Sequence, residues 1–293
     1  MKPLHTRLQD ARRRLGIPWE VLERDYLLSW VLAGIGEVAD LRRALVFKGG
    51  TALKKCYFGD YRFSEDLDFS ALDGAPSGRA MERLIGVACE SASGLLDRYA
   101  PVEIVCERYT ERSPHPGGQE AFVIRARLPW QSRLHTRVMI EITMDERMLT
   151  PVEKRKVIHE YGEPLDVEVQ VYSIEEVVAE KLRAILQHVA ILEARGWARS
   201  RARDYYDLWR VTRTYKDRMV LTGFDSLLRE KCAARGVSFE GPDSFFDDRL
   251  LAYVEKTWDQ SLGPLVPALP SFQTVADTLR SEVPALVRSG GTR

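Results

Sequence analysis

The sequence has no long hydrophobic run. Its most apolar stretch, Val31 to Ile35 within the segment Tyr26 to Val38, falls well short of the roughly eighteen residues that a membrane span needs. It also has no secretory signature, because the basic, polar segment Met1 to Arg14 is followed by neither an apolar core nor a small-residue cleavage site. No membrane association is expected, and the expected location is the cytoplasm. Cysteine is scarce and scattered: Cys56, Cys89, Cys106 and Cys232 include no Cys-x-x-Cys pair, and the five histidines are equally dispersed. That spacing speaks against a disulfide framework and against structural zinc. Charge of one sign is missing too. Lys plus Arg and Asp plus Glu each number 43, so the net charge is zero and no bulk electrostatic case for a nucleic-acid partner exists.

What is present is the composition of a globular protein, 45% hydrophobic and 29% charged over 293 residues, enough to bury a substantial core in one large domain or two ordinary ones. The charges are unevenly placed. Arg195, Arg199, Arg201, Arg203, Arg210 and Arg213 crowd a stretch whose only acids are Asp204 and Asp207. A second set, Arg108, Arg112, Arg125, Arg127, Arg133 and Arg137, falls on expected strands and their connections. Either set reads as a solvated face with local ion pairs or as a basic patch.

Along the chain, Pro18 stands at a helix start, with Val21, Leu22, Leu28, Val31 and Leu32 at helical spacing behind it. The run Leu45 to Phe47 ends in Gly49-Gly50 before Thr51-Ala-Leu-Lys-Lys, a strand, tight turn and helix. A strand is expected at Leu67 to Ser70 and a helix at Ser77 to Tyr99. Val102 to Tyr109 and Glu120 to Leu128 form an expected hairpin about Pro116, Gly117 and Gly118, and Leu134 to Thr143 is a further strand. Beyond Tyr172 the pattern turns helical, at Ile174 to Leu192, Arg203 to Thr214, Phe224 to Ala234 and Phe245 to Trp258. The class is α+β, with a mixed α/β lobe over 1–165 and a mostly helical C-terminal lobe over 166–293, the boundary lying near residues 160–175.

The chemistry concentrates between Lys48 and Phe69. Gly49 and Gly50 let the backbone approach a phosphate, and the N–H groups opening the next helix, with Thr51, are placed to donate to its oxygens. Asp66 and Asp68, two apart on a strand, point to one face. Paired carboxylates suit Mg2+, with Mn2+ as an alternative, an ion that takes its remaining ligands from water and substrate phosphates. An Asp-x-Asp triplet alone is what chance supplies, and a Gly-Gly pair alone is an ordinary turn. Their order, strand, Gly-Gly, helix and then a strand with Asp-x-Asp, resembles the minimal nucleotidyltransferase fold with its mixed sheet. In the strand Val138-Met-Ile-Glu-Ile, Ile140 and Ile142 face a core and leave Glu141 opposite, either as an exposed strand residue or as a third metal ligand.

Phe47-Lys-Gly-Gly-Thr-Ala-Leu followed by Arg62-Phe-Ser-Glu-Asp-Leu-Asp-Phe resembles the first motif of the AbiEii family, nucleotidyltransferase toxins of type IV toxin–antitoxin and abortive-infection systems that include the MenT toxins. Tyr172-Ser-Ile-Glu-Glu-Val-Val-Ala-Glu-Lys-Leu-Arg-Ala resembles the family's lysine motif, and Arg201-Ala-Arg-Asp-Tyr-Tyr-Asp-Leu-Trp its Arg-Asp motif. With Glu23-Arg-Asp-Tyr and the tail around Trp258, the likeness spans nearly the whole chain. From the residues alone, Lys181 within the apolar arc Val177, Val178, Leu182, Ile185 and Val189 either snorkels or faces an anion. Asp204 at a helix start suits the dipole or an ion pair. The resemblance implies that Lys181 grips a triphosphate and that Asp204 acts beside it, as general base or orienting group. It also implies that Lys48, Gly49, Gly50, Thr51, Arg62 and Ser64 line a nucleotide site, with Asp66, Asp68 and Glu141 on the metal. The family pattern more often has aspartate where this chain has Glu141.

The function so implied is transfer of a nucleoside monophosphate, from a pyrimidine triphosphate with CTP favoured, to the 3′ end of tRNA, blocking aminoacylation and translation. A cognate antitoxin is implied as partner, and where it is kinase-like, Ser64 is the candidate phosphorylation site. Two other functions fit the same residues: transfer to a protein or small-molecule hydroxyl, and binding of nucleotide or RNA without catalysis.

Overall fold

The computed structural model describes residues 1–110, 119–196 and 200–288. They form two compact units, one of residues 1–147 with 152–171 and one of residues 148–151 with 172–293. The expected turn residues Pro116, Gly117 and Gly118 lie outside the described residues, as do Arg112, Trp197 and Arg199. Among the described residues, no helix is long and apolar enough to cross a membrane.

The first unit opens with helices α1 (Leu4–Leu15), α2 (Trp19–Glu37) and α3 (Ala39–Ala44). Every residue of α2 from Val21 to Gly36 except Arg24 is buried, the polar Glu23, Asp25 and Ser29 among them. Strand β1 (Leu45–Lys48) leads into the single turn α4 (Gly49–Ala52), which continues as a π-helical turn at Leu53–Tyr57. Then come β2 (Asp66–Ala71), α5 (Gly78–Leu96), β3 (Glu103–Arg108), β4 (Glu120–Arg127), β5 (Thr136–Thr143), β6 (Glu153–Lys156) and β7 (Glu168–Val171). The seven strands form one mixed sheet in the order β3-β4-β5-β2-β1-β7-β6. The β2–β5 and β1–β7 pairs are parallel and the rest antiparallel.

Side-chain alternation gives this sheet two different faces. Phe47, Leu67, Phe69, Phe122, Ile140 and Ile142 are fully buried on one. Each contributes roughly 1.5–3 kcal/mol relative to an exposed position. Lys48, Asp66, Asp68 and Glu141 lie on the other and are half-buried. Register is thereby fixed, because a slip of one residue would bury the carboxylates.

The second unit contains α6 (Ile174–Arg195), α7 (Ala202–Tyr215), α8 (Phe224–Ala233), α9 (Asp248–Leu262) and α10 (Phe272–Arg288). Ser173 caps α6 by accepting from the Glu176 N–H at 3.1 Å. The buried Glu176 carboxylate pairs with Lys231 at 2.6 Å and accepts from the Thr150 N–H at 3.0 Å and the Thr150 hydroxyl at 2.8 Å. Those bonds assign residues 148–151 to this unit. The helix expected over Phe245 to Trp258 starts later. Pro242–Phe246 is a 3-10 turn, and Asp247 caps α9 by accepting from the Arg249 and Leu250 N–H groups, each at 3.0 Å.

Candidate functional site

The Gly-Gly turn is fitted to the strand beside it. Gly49 has φ +79°, and a Cβ there would stand 2.6 Å from Asp68 Oδ2. A Cβ on Gly50 would meet the Arg62 guanidinium at 2.0 Å. Both glycines therefore answer a requirement for close approach, and the groups approached are the Asp68 carboxylate and the buried Arg62 guanidinium. In the sheet, Lys48 is in register with Asp68, and Asp68 with Glu141, so three charged residues on adjacent strands form one row on one face. Asp66 stands in the next row beside Met139. The Lys48 ammonium donates to the Thr143 hydroxyl at 3.0 Å.

Thr51 does not face outward as the sequence suggested. It is fully buried, and its hydroxyl donates to the Asp66 backbone carbonyl at 2.5 Å, so it braces the aspartate strand from beneath. Arg62 and Ser64 are buried in the segment entering β2, the Arg62 guanidinium donating to the Phe63 carbonyl at 3.3 Å. The turn itself is anchored by lysines that follow it. The buried Lys55 donates to the Asp25 carboxylate at 2.8 Å, the Asp25 carbonyl at 3.1 Å and the Ser29 hydroxyl at 2.9 Å. Tyr161 donates to the same Asp25 oxygen at 2.8 Å. Burial pushes the Asp25 carboxyl up, but attraction to Lys55 and Lys54 outweighs it and holds the group below the ordinary range. Lys54 lies 4.3 Å from the Phe63 ring centroid and 3.2 Å from Glu160. The π-helical turn carrying both lysines is a feature concentrated at functional sites.

Asp66 and Asp68 fit a divalent cation of the magnesium type, which takes one or two carboxylates and completes its shell with water and phosphate oxygens. The Gly49 contact supports the fit, since the turn leaves Asp68 Oδ2 a space that any side chain would fill. Glu141 shares their face, yet among the described residues no three acidic, His or Cys side chains are gathered as a metal cluster.

In the second unit, Lys181 on α6 is buried, and its ammonium stands 2.5 Å from Asp207 and 3.2 Å from Asp204, both on α7. Arg201 holds the other Asp204 oxygen at 3.1 Å. Burial raises the Asp204 carboxyl, and the attractions of Lys181 and Arg201 together outweigh it and bring the group below the usual carboxylate range. Lys181 therefore does not snorkel; it is held by two acids three residues apart on one helix face.

The family model described as "Nucleotidyl transferase AbiEii toxin, Type IV TA system" matches residues 30–278. The chain belongs to the AbiEii family. It is similar in fold to the solved structure of MenT4, a nucleotidyltransferase toxin from Mycobacterium tuberculosis H37Rv, at 21% identity over 97% of this chain and 88% of that one, with a TM-score of 0.59. No curated protein matches the chain.

For this AbiEii chain, the residue that sequence reasoning passed over is Asp207. It is fully buried and closer to Lys181 than Asp204 is. The signal was its i, i+3 spacing from Asp204. The two arginine sets differ. Arg108 pairs with Glu82 and Glu120, and Arg127 with Glu103, so these arginines of β3 and β4 are taken up in ion pairs. On α7, Arg213 is exposed and stacks at 4.9 Å on Trp209.

Proposed function

We propose that the chain transfers a nucleoside monophosphate from a nucleoside triphosphate to a terminal RNA hydroxyl, the acceptor end of tRNA, with a pyrimidine nucleotide, CTP, as donor. The observation that carries the nucleotidyl-transfer reading is the row Lys48, Asp68 and Glu141, with Asp66 beside it and Gly49 pressed against Asp68. In the reaction the acceptor hydroxyl releases its proton to water as its oxygen bonds to the α-phosphorus, the bond from that phosphorus to the oxygen bridging to the β-phosphate breaks, and pyrophosphate leaves with the electron pair. Asp66 and Asp68, with Glu141 on the same face, would hold Mg2+ or Mn2+, which would supply charge neutralisation on the triphosphate. The backbone N–H groups at Gly49 and Gly50 bind phosphate oxygens. Lys48 and Arg62 add positive charge there, and Thr51 acts by bracing Asp66.

Lys181 offers an ammonium to phosphate. Asp204 serves as its orienting group rather than as a general base, since one of its oxygens is held by Lys181 and the other by Arg201. Asp207 shares that orienting role. Family membership supports a cognate antitoxin as partner. Were it kinase-like, phosphate on the buried Ser64 would place negative charge two residues from Asp66 and oppose triphosphate binding.

The acceptor is tested with tRNA whose 3′ diol has been destroyed by periodate. Label from α-labelled CTP on intact but not on oxidised tRNA is the expected result. Equal labelling of both, or labelling of protein in place of RNA, would reject the terminal hydroxyl.

A further inference from the structure

The first helix presents a face that the nucleotidyl-transfer site does not use. His5, Gln9, Arg12, Arg13 and Gly16 recur at helical spacing along α1 and its C-terminal cap and are all exposed, while Leu4, Leu8 and Ala11 bury the opposite face. Gln9, Arg12 and Arg13, with Gly16, Ile17 and Pro18, line an open cleft of about 730 Å³. Arg13 pairs with Asp10 at 2.6 Å, and Arg12 makes no side-chain ion pair among the described residues.

At the other end of the same face, aromatic rings gather. The His5 ring centroid is 5.1 Å from that of Trp19 and 5.1 Å from that of Trp130, and the two indoles are 5.5 Å apart. Both indoles are half-buried and turned so that their N–H groups donate inward to one oxygen of the buried Glu23, at 2.7 Å and 2.6 Å, with Gln131 adding a third bond at 3.2 Å. A clasp between α2 and the β4–β5 turn accounts for the buried carboxylate and the inward N–H groups. It does not account for the exposed imidazole on top or for the arginines that continue its row. The rings touch one another and enclose no space, so nothing binds between them; what they offer is a fixed platform whose rotamers are locked before a ligand arrives.

An aromatic platform with guanidinium groups about 10 Å along one helix is the pairing that holds single strands, bases stacking on rings while cations track phosphates. We propose that the exposed face of α1, with Trp19 and Trp130, is a docking surface for single-stranded RNA, outside the residues assigned to nucleotidyl transfer. The choice of RNA rests on the acceptor named above.

The test is fluorescence anisotropy with a short fluorescein-labelled single-stranded oligoribonucleotide, without metal or nucleotide, over a range of salt. Relative to the unaltered protein, Arg12→Glu/Arg13→Glu weakens binding by about tenfold or more, and the slope against salt falls by about 0.7 for each phosphate that is no longer neutralised. His5→Ala weakens it by about fivefold or more at high salt, where stacking dominates. Arg42→Glu/Arg43→Glu, the same charge reversal on the exposed face of α3, is the control and changes binding less than twofold. Equal losses from both reversals would mean diffuse attraction and overturn the proposal. Absence of RNA binding by the unaltered protein would also overturn it, in favour of an acidic protein partner. Because binding is read without catalysis, the two readings fail separately. RNA labelling with binding unchanged in the α1 variants removes the docking surface alone, whereas α1-dependent binding without RNA labelling removes the acceptor alone.

Discussion

Replacing Gly49 by alanine separates backbone strain from displacement of Asp68. At φ +79°, an L-residue costs about 1–2 kcal/mol. Gly74, at φ +78° with nothing within 4 Å of its Cβ position, carries the same strain without a neighbour, so Gly74→Ala is the matched reference. Both variants should lower the melting temperature by about 2–4 °C for each kcal/mol. Only at Gly49 does the new methyl stand 2.6 Å from Asp68 Oδ2, which must withdraw by about 1 Å to reach ordinary contact. A misplacement of about 1 Å at a reacting centre costs on the order of a hundredfold in rate. Thermal melts and α-label transfer to RNA measure the two effects. Gly74→Ala should keep the activity of the unaltered protein, and Gly49→Ala should lose roughly two orders of magnitude beyond its stability cost. Equal activity in the two variants would refute the reasoning that the glycine exists to admit the Asp68 carboxylate.

Other perturbations follow from the buried charges. Lys55→Met leaves Asp25 buried without its ammonium and should cost about 3–5 kcal/mol in urea denaturation, with Asp25→Asn/Lys55→Met costing less than the single change. Burial alone would raise Glu163, but bonds from His159, Arg7 and Tyr26 bring its carboxyl from 4.5 down to about 2. Its stabilisation is therefore fully present above pH 4.5 and lost as pH falls toward 2, and the stability gap between the unaltered protein and Glu163→Gln should close over that window. Asp207→Asn removes the nearer acid from the buried Lys181 and should lower label transfer by about tenfold; because Asp204 still pairs the ammonium, its stability cost should fall at the low end of about 3–5 kcal/mol, whereas Lys181→Met should abolish transfer.

The sheet was legible in the sequence up to β5, whereas the alternating but four-residue β7 was not expected. β1, β2, β4 and β5 were expected within a residue or two, because Leu45 to Phe47 and Val138 to Ile142 place their apolar residues where a strand needs them. β6 was not, because Glu153-Lys-Arg-Lys has no apolar alternation; it is an edge strand that pairs only with β7, where charged residues guard the open side. α1 was hidden by its many charges and by the lack of a side-chain cap, and α10 by Pro284 inside it. In the candidate site, the facing of Asp66, Asp68 and Glu141 follows from the two-residue repeat alone, which local spacing encodes. The inward turn of Thr51 and the hold of Asp207 on Lys181 do not. Each depends on a partner far along the chain or on a second helix, and no periodicity specifies which of two available acceptors a hydroxyl or an ammonium takes.

The most direct test compares α-labelled with γ-labelled CTP, incubated with RNA and magnesium, for the unaltered protein and Asp66→Asn/Asp68→Asn. Label on RNA from the α position only, lost in the double variant while its melting temperature holds, is the expected result. Transfer from the γ position, or α-label transfer that survives the loss of both carboxylates, would contradict nucleotidyl transfer at Asp66 and Asp68.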